Sequence, residues 1–227
     1  MAKYLIFNTY YFLCIFCSQI IAQENMSQIV NNHSTTKIGN AYWTTSNLAV
    51  SKFNNGDIIP QAKNKEDWKK ASINKTPIWS YYNFDSLNYS QYGKLYNWFA
   101  ANDSRGIAPI GFHIPNVEEW SQITLDINEF PIDNNVGKQL KTKTSWNYRN
   151  GENKLNFNGF PLGIGGGFSG DFFWFGDKCF FWCSEDTSFG ENISEQAWCF
   201  SLTSHDDDLS QLLQQKSMGL LIRCVKD

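Results

Sequence analysis

The tightest constraint on this fold lies between Tyr92 and Ile127, where signals for a helix, a strand and a second helix follow one another closely. Tyr92, Leu95, Tyr96 and Phe99 recur at i, i+3, i+4 and i+7, which predicts one apolar helical face. Pro109 and Pro115 bracket Ile110–Ile114, in which Ile110, Phe112 and Ile114 alternate as in a short strand. Asn116 is then a good N-cap, and Glu119, three residues on, can reach back as its capping-box partner. Val117, Trp120, Ile123 and Ile127 form the buried stripe of that second helix.

Before Lys37 the chain carries no comparable pattern. Lys3 precedes a mostly apolar run from Tyr4 to Ala22, after which the sequence turns polar at Gln23-Glu24-Asn25. A basic start, an apolar middle and a small residue at the end describe a secretory leader, residues 1–22, cut after Ala22. Retention as a membrane anchor is the alternative, weakened by Asn8, Thr9, Ser18 and Gln19. Lipid attachment at Cys14 or Cys17 is a third option, but neither has a small-residue signal before it. Residues 23–36 read as a flexible segment and residues 37–227 as the domain. No later stretch is apolar enough to span a bilayer, so a secreted or cell-surface location is expected, with no membrane span after leader removal.

The remainder points to short strands and long loops. Ile38–Trp43 reads as a strand, Asn54-Asn55-Gly56-Asp57 as a turn, and Glu66–Ala71 as a helical turn around Trp68. Phe172–Phe175 and Phe180–Trp182 read as two aromatic strands joined at Gly176-Asp177. Ala197–Leu202 and Gly219–Val225 are further strands. Aromatic residues make up 16% of the chain, with nine Trp, ample for one core. The pattern is α+β, with two helices in the first half and no βαβ repeat.

Charge excludes one class of partner. The net charge is −3 and the lysines are scattered, whereas nucleic-acid binding requires clustered cations. Cys179, Cys183, Cys199 and Cys224 follow the leader, and in an oxidising compartment they predict disulfides. Cys199 with Cys224 is the favoured pair, leaving Cys179 and Cys183 to bridge a tight turn or stay free. Their spacing, without paired histidines, fits a zinc site poorly. The chain is expected to be a monomer without cofactor or resident metal.

Several blocks together are recognisable. Ile38-Gly39-Asn40-Ala41-Tyr42-Trp43, Tyr92-Gly93-Lys94-Leu95-Tyr96-Asn97-Trp98, Ala108-Pro109-Ile110-Gly111-Phe112-His113-Ile114-Pro115, Glu119-Trp120, Asn158-Gly159-Phe160-Pro161-Leu162-Gly163, Phe181-Trp182-Cys183-Ser184 and Ile222-Arg223-Cys224-Val225-Lys226-Asp227 resemble the Fibrobacter succinogenes major paralogous domain. The likeness runs from about Ile38 to Asp227, with Phe112 where Trp is usual and Cys183 where a small hydroxyl residue is usual. It implies a C-type-lectin-like fold, with two helices, a small, mostly antiparallel sheet and long irregular loops, and it implies export. It supplies no shared activity.

The function expected from these features is a non-catalytic binding module whose ligand is a glycan or another surface protein. Trp174 and Trp182 could stack on sugar rings while Asp171 and Asp177 fix hydroxyls; the bland alternative makes these aromatics core. The sugar-specific tripeptides of calcium-dependent lectins are absent, so Asp206-Asp207-Asp208 reads as a solvated loop and any sugar binding as calcium-independent. The glycines from Gly163 to Gly170 precede aromatic strand residues instead of a helix, which argues against a phosphate cradle. His113 is a core histidine or, with Glu118 or Glu119, a general base. The enzyme alternative rests on the similarity of His113–Trp120 and Ile222–Val225 to segments of formylglycine-generating enzymes, which would make Cys199 and Cys224 a copper-binding pair.

Overall fold

A computed structural model describes residues 33–127, 135–188 and 194–227, and Ser34–Asp227 pack as one unit. The expected leader and residues 23–32 of the polar segment lie outside the described residues. Order begins earlier than Lys37, because Thr35–Ile38 (β1) already forms an antiparallel hairpin with Ala41–Thr44 (β2). The last strand, Val225–Lys226 (β12), pairs with β2 on one side and with Phe112–His113 (β5) on the other. One four-stranded sheet therefore joins both ends of the domain.

Lys65–Asn74 (α1) is longer than the single turn expected around Trp68. Asn64 caps it by accepting from the Asp67 N–H at 2.9 Å. Trp68 is fully buried, and its indole N–H donates to the Ser217 carbonyl at 2.9 Å. Gly166 must be glycine at this contact, because its φ is +84 and a Cβ would lie 1.9 Å from the Trp68 indole nitrogen.

The helix expected over Tyr92–Phe99 does not form. Ser86–Tyr89 (α2) is a short helix, and a single tighter turn over Ser90–Tyr92 ends at Gly93, whose φ of 91 and ψ of −164 cannot continue a helix. Leu95–Tyr96 (β4) pairs instead with Trp79–Ser80 (β3), and Tyr96 exchanges two backbone hydrogen bonds with Leu220. Both residues are fully buried, and an apolar pair covered on two faces has the same spacing as part of a helical stripe. Asn97 starts a new short helix, Trp98–Ala101 (α3), by accepting from the Ala100 N–H at 3.0 Å.

The second helix forms as expected, over Val117–Ile127 (α4). Asn116 Oδ1 accepts from the Glu119 N–H at 2.8 Å and Glu119 Oε2 accepts from the Asn116 N–H at 2.9 Å, so both halves of the capping box are made. Trp120, fully buried, stacks on Phe200 and touches Trp43 and Phe181. Val136–Leu140 (α5) is the fifth helix among the described residues.

Strands dominate the second half. Ile164–Gly166 (β6) lies between Asp171–Phe173 (β7) and Met218–Gly219 (β11). Lys178–Asp186 (β8), Gln196–Thr203 (β9) and Ser210–Gln215 (β10) form a second three-stranded sheet. The two aromatic runs thus belong to different sheets, and the strand expected over Gly219–Val225 is reduced to its two ends. All these strand pairs are antiparallel, and the fold is a mixed α+β architecture, mostly β.

Among the described residues no disulfide is present. Cys179, Cys183, Cys199 and Cys224 are all buried free thiols, including the pair Cys199–Cys224 expected to staple the domain. Cys199 lies within β9 opposite Trp182, whereas Cys224 precedes β12 in the other sheet. Burial pushes the Cys179 and Cys224 thiols up to about 12.

Candidate functional site

The four residues expected to line a sugar groove do not meet in one. Trp182 is fully buried and its indole donates to the Tyr96 carbonyl at 2.8 Å, so it is a core anchor with no face open to a ligand. Asp171 is held in an ion pair with Lys65 at 2.5 Å. Asp177 accepts from the Ser204 hydroxyl and faces His205 Nε2 at 3.1 Å. Trp174 is 44% exposed, beside the similarly exposed Phe173 and Phe175, and its φ of 63 puts it at the tip of the turn after β7. None of the four lines either of the two clefts that follow.

The larger cleft, with a volume of about 680 Å³, lies where three elements end. The short helix α3 contributes Trp98 and Asn102, and the start of α4 contributes Val117 and Glu118. The far end of β8 supplies Ser184, Glu185 and Asp186, with Trp198 from β9 and Gln211 from β10. A register shift between Trp182 and Asp186 turns this end of β8 away from its neighbour, and the Ser184 N–H donates to the Pro115 carbonyl at 3.0 Å instead.

Each carboxylate here is placed by a specific contact or left open. Glu185 Oε2 accepts from the Val117 N–H at 2.9 Å, at the positive end of α4. Burial alone would raise the Asp186 carboxyl, but Lys216 Nζ at 2.5 Å together with the Ser188 N–H and hydroxyl holds it below its usual value. Glu118 is exposed. Lys216 Nζ also lies 4.3 Å above the Trp98 ring, and the Trp98 indole N–H is buried without a partner among the described residues. The lining therefore combines two tryptophans, two amides and three carboxylates, with no cation among its lining residues.

One part of this cleft was readable. Ala197 and Cys199 point into the core, which puts Trp198 on the opposite, half-exposed phase of β9. Its convergence with Trp98, 100 positions away in sequence, was not readable.

Two other expectations resolve differently. His113 donates from both ring nitrogens when protonated, Nδ1 to Asp227 and Nε2 to Glu119, each at 2.7 Å. Burial alone would lower its pKa, but the two carboxylates raise it overall. Protonated, it ties the end of the chain to the capping box through both nitrogens and in that form has no lone pair to offer as a base. The aspartate run wraps a cation of the protein's own. Lys141, its side chain fully buried, reaches the Thr203 carbonyl at 3.1 Å, the Asp206 carbonyl at 2.7 Å and Asp207 Oδ1 at 3.0 Å. Among the described residues no group of three or more His, Cys, Asp or Glu side chains could hold a metal ion, and no helix is long and apolar enough to cross a membrane.

No curated protein and no solved structure matches this chain. A family model does, the Fibrobacter succinogenes major domain, over residues 36–226, from the first strand of the hairpin to the strand that closes its sheet. That span includes both tryptophans and all three carboxylates of the cleft, and on it the chain belongs to the Fibrobacter succinogenes major domain family.

Proposed function

We propose that this protein is an exported, non-catalytic binding module, and that the cleft between Trp98 and Trp198 holds a neutral glycan. The observation that carries this reading is the convergence of two indoles with Asn102, Gln211, Glu118, Glu185 and Asp186. Aromatic faces bury the C–H surface of a sugar ring, and carboxylates and amides accept from its hydroxyls. The absence of a cation from the lining disfavours an acidic ligand. A C-type-lectin-like arrangement is part of the proposal, supported by the sheet that joins the two ends of the domain and by α4 packed against β1, β8 and β9. Export follows from the leader expected at residues 1–22. A surface protein is the alternative occupant of the same face.

The copper-enzyme alternative gains no support from its two cysteines. Both are buried, neither lines the cleft, and metal binding requires thiolates that burial disfavours. A glycan array with neutral plant and host oligosaccharides tests the proposal. Binding that is lost in Trp198→Ala at an unchanged melting temperature supports it. A blank across all neutral glycans, or undiminished binding by Trp198→Ala, overturns it.

A further inference from the structure

A second cleft, of about 390 Å³, has the opposite electrostatic character and shares no residue with the first. Thr45, Ser46, Asn47, Ser90, Thr142 and Asn158 supply hydroxyls and amides to its lining, and Tyr92 and Phe160 supply aromatic surface. The two rings stack at 3.8 Å with 11° between their planes. The single charged side chain in the lining is Arg223, and no carboxylate faces it there.

Arg223 is an unusual group to bury. It is 1% exposed, and among the described residues none of its contacts is an anion. One terminal nitrogen donates to the Thr44 carbonyl at 2.7 Å and the other to the Asn158 carbonyl at 3.1 Å, while the rings of Phe157 and Phe181 lie 4.5 and 5.7 Å from the guanidinium. Its Nε–H has no partner among the described residues. The neighbouring Cys179 and Cys224 thiols are pushed up by burial and stay neutral near pH 7, so neither offsets the charge. A buried cation without a counter-ion is costly, and guanidinium geometry favours a two-oxygen acceptor.

A second polar atom in the same lining lacks a partner, with the opposite sense. The Asn47 side-chain amide nitrogen donates to the Tyr92 carbonyl at 2.8 Å, leaving Oδ1 a buried acceptor without a donor among the described residues. Two residues of the lining thus carry, among the described residues, an unmatched buried donor beside a cation and an unmatched buried acceptor. Water could satisfy both hydrogen bonds but could not neutralise the guanidinium.

We propose that this cleft receives a hydroxylated molecule bearing an oxyanion, the chemistry of a uronic acid or a sulfated sugar, with the anion set against Arg223 and a ligand hydroxyl donating to Asn47 Oδ1. The stacked Tyr92–Phe160 pair forms an apolar wall for the body of the ligand. The proposal does not rest on the acidic cleft, and either can fail alone.

Calorimetric titration of the intact protein with galacturonate, galactose 6-sulfate, galactose and inorganic sulfate tests it. Galacturonate and galactose 6-sulfate should bind roughly 10–100-fold more tightly than galactose, the factor one charge-assisted hydrogen bond in a desolvated site supplies. Both should also bind more tightly than inorganic sulfate, which lacks the hydroxylated body. Because Arg223→Lys is buried enough to disturb folding, the decisive variant is Ser46→Trp, which fills the cleft from an exposed position of its lining. It should abolish binding of both anionic sugars at an unchanged melting temperature. Equal affinity for galactose and galacturonate, no binding of either anionic sugar, sulfate binding as tight as that of galactose 6-sulfate, or undiminished binding by Ser46→Trp each overturns the proposal.

Discussion

Glu119 has two separable roles, and two substitutions distinguish them. Its Oε2 completes the capping box of α4 and its Oε1 receives His113. Glu119→Ala removes both, whereas Glu119→Gln keeps an acceptor for the Asn116 N–H and removes the negative charge. Loss of a cap costs about 0.5–2 kcal/mol. The His113 pair is worth less than about 1 kcal/mol, because the two side chains are 41% and 27% exposed and water screens them. Glu119→Ala should therefore cost about 0.5–3 kcal/mol in total, which lowers the melting temperature of a domain this size by roughly 1–12 °C. The two variants should differ in pH dependence. Asp227 and Glu119 together raise the His113 pKa above 6.5 despite its burial, so the stabilisation is fully present below that value and is lost as pH rises through the raised one. The gap between wild type and Glu119→Gln should be widest near pH 6 and close towards pH 9. The gap to Glu119→Ala should narrow but persist, since the capping hydrogen bonds with Asn116 do not involve His113. Thermal melts followed by far-ultraviolet circular dichroism at several pH values measure both. A Glu119→Gln gap that is flat or grows with pH would refute the assignment of His113, and a stable Glu119→Ala would refute the capping box.

Other expected outcomes follow from the same packing. Lys141→Met strips the cation from Thr203, Asp206 and Asp207 and should cost about 2–4 kcal/mol by urea denaturation. Millimolar calcium should leave the wild-type melting temperature unchanged, because the ammonium already occupies that loop. Trp182→Ala should cost about 3–5 kcal/mol, whereas Trp174→Ala at its exposed turn should change stability by less than about 1 kcal/mol, both read from chemical denaturation. Cys179, Cys183, Cys199 and Cys224 should resist a thiol reagent in the native protein and all react once it is unfolded in guanidinium. Recovery of any two as a disulfide-linked peptide would contradict that arrangement.

Local rules specify part of this fold. Asn116, Glu119 and the stripe through Trp120 and Ile123 specify a helix within a dozen residues, and that helix formed with both capping bonds in place. The Asn54-Asn55-Gly56-Asp57 turn, the strand over Ala197–Leu202 and the family assignment were equally readable, since each depends on neighbours in sequence. What failed had the right composition and the wrong neighbours. Leu95 and Tyr96 fit a helical period, but Gly93 on one side, and Trp79 and Leu220 across the sheet, made them a strand. Trp182 and Trp174 are both tryptophans in one aromatic stretch, yet one is core and the other solvent-facing because they lie on opposite sides of a turn between two sheets.

The sequence by itself determined the capped helix, the turns, the α+β composition and membership of the family, because those follow from spacing and residue type over short distances. Tertiary structure alone decided where charge and aromatic surface converge. Trp98 meets Trp198, and Arg223 meets Asn47, only after strands far apart in the chain pair and bring their ends together. Long-range pairing is set by burial summed over the whole core, and no local pattern encodes that sum.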